Sequence, residues 1–284
     1  MRLKDLTIEV DGIALKGRAY LPALEPEGED WKKEPLLILC HGIPRGEPSP
    51  DEKERGQEEE PVVDGGYPAL AERCFDEGFP CFHFNFRGTG ESGGNFNLKG
   101  WTRDLWGVLD HWEQKELLQG GFYLWGFSAG AAVSCCVAAV DPRIRGVVLA
   151  ASPAEFRSLF PRKNLQAILE RFRETGIIRD SSFPADPESW LEDIYSVNPL
   201  EEIHKIAPRP LLLVHGTGDD VVPYEHAQKL NEAVEANRKA GTGARQAPAG
   251  EPEPLLTLPG AGHQLRKDPQ AVAKCINWLK ELGK

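Results

Sequence analysis

Basic residues are in the minority in this chain: 33 Lys and Arg stand against 44 Asp and Glu, a formal net charge of −11 at pH 7. No extended Lys/Arg stripe offsets that balance, which excludes a footprint for phosphates and with it a nucleic-acid partner. Apolar runs of membrane-spanning length are absent, and the N-terminal MRLKDLTIEVDG alternates polar and apolar residues instead of carrying the apolar core of a secretion signal. The expected location is cytoplasmic, with no membrane partner. Six cysteines are present, but none stands in the CxxC spacing of zinc or redox sites, and most fall in apolar periodic segments. They read as small buried hydrophobes, so no metal, disulfide framework or thiol nucleophile is expected. No internal repeat is visible.

With 40% hydrophobic and 27% charged residues, the 284-residue chain has enough apolar surface to fold throughout. Strand-like runs recur at Leu6–Val10, Ile13–Leu21, Leu36–Cys40, Phe79–Phe86, Gly121–Phe127, Gly146–Ala151, Pro210–Val214 and Leu255–Leu258. Asp11-Gly12 between the first two is a hairpin signal. Helical stretches separate the later ones, at about Tyr67–Glu77, Trp101–Leu118, Ala129–Val140, Pro223–Arg238 and Pro269–Leu282. Alternating strand and helix predict a doubly wound, mostly parallel α/β sheet of eight strands with an antiparallel start. Asp186-Pro187, Asn198-Pro199 and Asp268-Pro269 each place a capping side chain ahead of a first-turn proline.

Two stretches break this rhythm. Residues 47–60, EPSPDEKERGQEEE, hold seven acidic and two basic residues with no large apolar one. They predict a solvated loop or a mobile flap. Residues 153–207 carry Leu165, Ile168, Leu169 and Phe172 at helical spacing, followed by Phe183, Trp190, Ile194 and Tyr195. They predict a small helical cap inserted into a core formed by residues 1–152 and 208–284.

Chemistry-bearing residues cluster at strand ends. Gly126-Phe127-Ser128-Ala129-Gly130 follows an apolar strand and opens a helix of small residues, the context in which G-x-S-x-G exposes a serine hydroxyl on a strained turn. A helix-capping serine is the plainer alternative. His215-Gly-Thr-Gly-Asp219-Asp220-Val-Val-Pro223 follows the strand at 210–214, and Gly260-Ala-Gly-His263 follows the last strand. His41-Gly42-Ile43-Pro44 and Arg87-Gly-Thr-Gly-Glu-Ser92 close two earlier strands. The latter run, extended to Gly93, has GxGxxG spacing, but it does not lie in the first βα unit and lacks the acidic residue in register, so a dinucleotide cradle is not expected.

Together these segments resemble the α/β-hydrolase superfamily, whose triad runs in the order nucleophile, acid, histidine. The resemblance covers nearly the whole chain and implies the α/β-hydrolase fold, with Ser128 as nucleophile, His263 as general base and Asp219, rather than its neighbour Asp220, as the acid. It also implies oxyanion donors at the Ile43 and Ala129 amides, a structural His41 bracing its loop, and Arg87 anchoring the loop that follows. Within the superfamily the motifs are most similar to small-capped carboxylesterases, feruloyl or cinnamoyl esterases and related serine peptidases. The activity implied is hydrolysis of a small acyl ester without cofactor, with a peptidase or amidase, a thioesterase or acyltransferase, and a noncatalytic relative as alternatives. Phe156, Phe160, Phe172, Phe183 and Trp190 of the cap are candidates to line the acyl pocket; packing of the cap onto the body is the competing role.

Overall fold

The computed structural model describes residues 1–22, 33–44, 66–114, 120–240 and 254–283. The acidic stretch 47–60 lies outside them. Eight strands form one sheet: β1 (Arg2–Val10), β2 (Ile13–Leu21), β3 (Leu36–Cys40), β4 (Cys81–Phe84), β5 (Phe122–Phe127), β6 (Ile144–Ala150), β7 (Leu211–Gly216) and β8 (Leu255–Leu258). Their spatial order is 1-2-4-3-5-6-7-8. β1 and β2 pair antiparallel from Val10↔Ile13 outward, and β2 pairs antiparallel with β4. All the remaining neighbours are parallel. The hairpin turns on Asp11 (φ 54°) and Gly12 (φ 73°), the two positive φ angles that a tight turn between right-twisted strands requires.

The continuous apolar runs of the central strands follow from burial on both faces. In β3, Leu36, Ile38 and Cys40 enter one buried cluster while Leu37 and Leu39 enter the other. β5 divides in the same way, Phe122 and Leu124 on one side, Tyr123, Trp125 and Phe127 on the other. Helices α1 (Gly66–Asp76) and α8 (Pro269–Leu282) cover the second face, whereas α2 (Leu98–Gln114) and α3 (Ala129–Val140) cover the first. α3 is buried nearly all round, which its small side chains permit.

The 153–207 segment forms α4 (Leu165–Glu174), α5 (Pro187–Tyr195) and the short α6 (Pro199–Glu202), with 3-10 turns at Arg162–Asn164 and Ile203–Ile206. Asp186 caps α5 through the Glu188 and Ser189 amides, and Asp268 caps α8 through those of Gln270 and Ala271. Asn198 makes no such side-chain bond. Leu165, Leu169, Phe172, Trp190, Leu191 and Ile194 of the segment share one buried cluster with the sheet. α7 (Glu225–Ala240) follows β7 and completes the set of α-helices among the described residues.

Element ends depart from the sequence reading where polar groups decide them. α2 begins at Leu98 rather than Trp101 because the Asn97 side chain accepts the Gly100 amide and acts as an unrecognised N-cap. α7 starts at Glu225, two residues after Pro223. β4 is confined to Cys81–Phe84, since the Phe79 amide is used to close α1 through Cys74 O.

Candidate active site

β5 delivers Ser128 into a backbone conformation of φ 54° and ψ −125°. Such a position costs about 1–3 kcal/mol for a non-glycine residue and persists only when its surroundings over-determine it. They do: the Ser128 amide donates to Ala150 O at 2.8 Å, and the Ser128 carbonyl accepts the Ala131 and Ala132 amides at 2.9 and 3.1 Å. Two close approaches complete the turn. A Cβ on Gly130 would stand 2.2 Å from His41 O, and one on Gly42 would stand 2.8 Å from Ser128 Cβ and 3.0 Å from Phe127 O. The β3 loop therefore runs directly against the serine.

The Ser128 hydroxyl lies 3.0 Å from His263 Nε2, and His263 Nδ1 lies 2.8 Å from Asp219 Oδ2. An ionised Asp219 only accepts hydrogen bonds, so Nδ1 carries the proton and the Nε2 lone pair faces the serine hydroxyl. Asp219 Oδ1 accepts the Val221 and Val222 amides, each at 2.9 Å. Burial works to raise the Asp219 pKa, but hydrogen bonds from His215, His263 and the Val222 amide outweigh it and hold the carboxyl well below its usual range. Asp220 is exposed and has no place in this chain of contacts.

His215 receives no role from the sequence beyond its place in the motif. Here its side chain is 2% exposed, donates from Nε2 to Val222 O at 2.8 Å and lies 3.3 Å from Asp219 Oδ2. It thus meets the carboxylate oxygen that His263 also contacts, while the Val221 and Val222 amides hold the other. The signal was available: the histidine precedes the acid by four residues across a strand end.

The geometry also explains the other strand-end motifs. His41 is buried, accepts the Phe86 amide at Nε2 (3.1 Å) and donates from Nδ1 to Gly42 O (2.7 Å). Burial lowers its pKa to about 4, in keeping with a neutral ring. Because a trans peptide points its C=O and N–H in opposite directions, His41 fixes the Gly42 carbonyl and thereby aims the Ile43 N–H away from itself. The Ile43 and Ala129 amides take no hydrogen-bond partner among the described residues. Ala129 sits in the first turn of α3, where the helix dipole favours negative charge. Pro44 has no N–H to offer. Arg87 is held by buried Asp104 (Nε to Oδ1, 2.9 Å) and by Asp11 (2.9 Å), and its carbonyl accepts Trp101 Nε1.

Of the five candidate aromatics in residues 153–207, four touch in a row, Phe156 to Phe160 to Phe172 to Trp190, with ring centroids 6.0, 5.8 and 5.9 Å apart. Phe156, Phe172 and Trp190 are buried, and Phe172 and Trp190 pack edge-on against Phe96 of the body. Trp190 Nε1 donates to Phe96 O at 3.0 Å. Phe160 and Phe183 are only partly buried. Arg179 binds the segment to the loop after β4, donating to Gly90 O and Ser92 O, each at 2.6 Å. No helix among the described residues is long and apolar enough to cross a membrane.

The profile of the prolyl oligopeptidase family matches residues 70–284. Among curated proteins, the human mitochondrial palmitoyl-protein thioesterase ABHD10 is 25% identical over 183 residues, covering 58% of this chain and 56% of that protein. The chain spans about half the length of the curated relatives it matches. Among solved structures, the esterase Pf2001 of Pyrococcus furiosus superposes with a TM-score of 0.63 at 19% identity, covering 99% of this chain and 92% of that one. Est1E of Butyrivibrio proteoclasticus, solved with ferulic acid bound, gives 0.60 at 20% identity over 97% and 96%. These likenesses establish the α/β-hydrolase fold.

Proposed function

The chain belongs to the prolyl oligopeptidase family, a family of α/β-hydrolases, and from that premise we propose that it is a serine hydrolase cleaving carboxylic esters through an acyl-enzyme on Ser128. The observation that carries this reading is the unbroken hydrogen-bond chain from the Ser128 hydroxyl through His263 to Asp219. In the first step Ser128 Oγ attacks the acyl carbonyl while His263 Nε2 takes its proton, and Asp219 stabilises the imidazolium that results. The carbonyl oxygen, now an oxyanion, is received by the Ile43 and Ala129 amides. Collapse breaks the bond to the alkoxide, which leaves as the alcohol after taking the proton from His263. Water, deprotonated by the same histidine, then attacks the acyl-enzyme and releases the acid.

Phe160 and Phe183 keep surface with which to meet an acyl group, whereas Phe156, Phe172 and Trp190 are committed to packing. A second reading, cleavage of a thioester or an amide, draws on the thioesterase among the relatives and on the peptidase name of the family. An ester, a thioester and a peptide amide sharing one acyl group separate the two. The ester reading expects the oxygen ester to give the highest kcat/KM, with all turnover lost in Ser128→Ala. Faster cleavage of the amide or thioester would overturn it.

A further inference from the structure

The loop after β7, which carries Asp219, is tied down by different means on its two sides. On the near side, the Thr217 amide donates to Leu258 O and the Gly218 amide to Ala261 O, each at 3.0 Å, while the Gly260 amide donates to Thr217 Oγ1 at 2.8 Å. These bonds join it to the loop that carries His263. On the far side, the Val221 and Val222 amides fold back onto Asp219 Oδ1, and Val222 O lies 2.8 Å from His215 Nε2. A carbonyl only accepts, so His215 Nε2 carries the proton and donates it there. The same edge of the ring lies 3.3 Å from Asp219 Oδ2, the oxygen that faces His263 Nδ1 at 2.8 Å. The His215 ring is itself backed: Tyr224 meets it edge-on at 6.0 Å between centroids, and the Tyr224 hydroxyl shares a 2.6 Å hydrogen bond with Thr257 Oγ1 of β8.

We propose that His215 is a positioning residue for the reaction on Ser128, holding Val222 and the Asp219 carboxylate together so that Oδ2 stays aimed at His263 Nδ1. An ionised carboxylate has about four acceptor positions. Here two amides take Oδ1, while His263 Nδ1 and His215 Nε2 converge on Oδ2. Bonds to Oδ1 alone leave the group free to turn about that oxygen, and a contact at Oδ2 removes the freedom. His263 cannot supply the restraint, since it is the group being positioned. Without His215 the buried Val222 carbonyl would also lose its donor, and with it the closure of the loop that brings both amides to Oδ1. His215 touches neither substrate nor the reacting atoms. Its effect is on how well the base is oriented when it takes the Ser128 proton, so it belongs in kcat and not in substrate affinity.

This role rests on the hydrolase reading above, and the test separates the two. Wild-type protein, His215→Leu, His215→Asn and His215→Gln are compared by fluorophosphonate labelling, by kcat and KM for an acyl ester per labelled site, and by the far-downfield proton resonance of His263 Nδ1–H. Leucine removes the donor and meets apolar neighbours, since Leu213, Ala227 and Leu230 line one narrow space with His215. Asparagine keeps an N–H but is too short to bring it to where Nε2 stands; glutamine reaches there. The leucine and asparagine variants are expected to lose roughly thirtyfold in kcat, the size of a lost hydrogen bond to a charged group, with KM unchanged and the Nδ1–H resonance moved upfield and broadened by exchange. The glutamine variant should return the resonance and bring kcat to within about threefold of wild type, because it restores the donor. A wild-type protein that takes no label at Ser128 sinks the hydrolase reading and this role with it. A labelled wild type whose leucine and asparagine variants keep both kcat and the resonance overturns the role alone. So does a variant in which KM rises while kcat holds, because that pattern makes the residue part of the substrate pocket. A loss of kcat with the resonance unmoved, or a glutamine variant that restores neither, also overturns it. If the leucine variant does not fold, the asparagine and glutamine variants decide by the same criteria.

Discussion

Gly42→Ala adds one methyl group beside the proposed nucleophile, 3.4 Å from Ser128 Oγ. The added methyl would stand 2.8 Å from Ser128 Cβ and 3.0 Å from Phe127 O. Ordinary contact between such carbons begins near 3.5 Å, so the two backbones must part by roughly half an ångström or more. Neither side yields easily. Ser128 is pinned through its amide to Ala150 O, and the Gly42 carbonyl is pinned by His41 Nδ1. The displacement falls on the Ile43 amide, and loss of one oxyanion donor costs about 3 kcal/mol, or roughly a hundredfold in rate. The core is untouched, so the fold should survive with an unfolding midpoint a few degrees lower at most. The assay is kcat/KM for an acyl ester together with the rate of phosphonate labelling. Both should fall by about two orders of magnitude, in parallel, because both reactions develop charge at the same oxygen. A Gly42→Ala protein with wild-type turnover would refute the account of how the β3 loop approaches the serine.

Three further outcomes follow from the same geometry. Asp219→Asn should lower turnover by about a thousandfold or more by losing the carboxylate that sets the His263 tautomer, while exposed Asp220→Asn stays within about threefold; steady-state kinetics on the two variants decides, and the reverse ranking would reassign the acid. Burial lowers the pKa of both His41 and His83 from 6.5 to about 4, so between those pH values the unfolded chain binds protons that the folded chain does not. Stability should therefore be intact above about pH 6.5 and fall as pH drops toward 4, by about 3 kcal/mol for fully buried His41; urea unfolding at pH 7, 5.5 and 4.5 measures it, and a flat stability would contradict the buried neutral ring. Phe172→Ala and Trp190→Ala should each cost about 3–5 kcal/mol of stability with little change in the ratio of short-chain to aryl ester turnover, whereas Phe160→Ala or Phe183→Ala should shift that ratio; no shift in any variant would leave the segment as packing alone.

The sheet was legible because burial on two faces leaves a continuous apolar record in Leu36–Cys40 and Phe122–Phe127, and because Asp11-Gly12 has few other uses than a tight turn. The proposed site was legible in pieces. Each motif sits at the C-terminal end of a strand, so the parallel order of β3, β5, β7 and β8 gathers them at one edge of the sheet. What the sequence could not supply were contacts between segments far apart along the chain. Nothing in HGIP indicates that Gly42 passes within van der Waals reach of Ser128. Tyr67 stands at the start of a helix that buries Leu70, Ala71 and Cys74, and only the fold brings it to His41, Phe127 and Arg266. The aromatics of residues 153–207 were ambiguous for a physical reason: helical spacing shows that a face is apolar but not whether protein or ligand covers it, and Phe172 and Trp190 pack against Phe96.

The measurement that bears most directly on the account is the site of covalent modification by a fluorophosphonate, read by mass spectrometry of the intact protein and of its peptides. A single adduct is expected on the peptide containing Ser128, abolished in Ser128→Ala and formed slowly in His263→Ala, where the serine loses its base. An adduct at another residue, or undiminished labelling of Ser128→Ala, would contradict it.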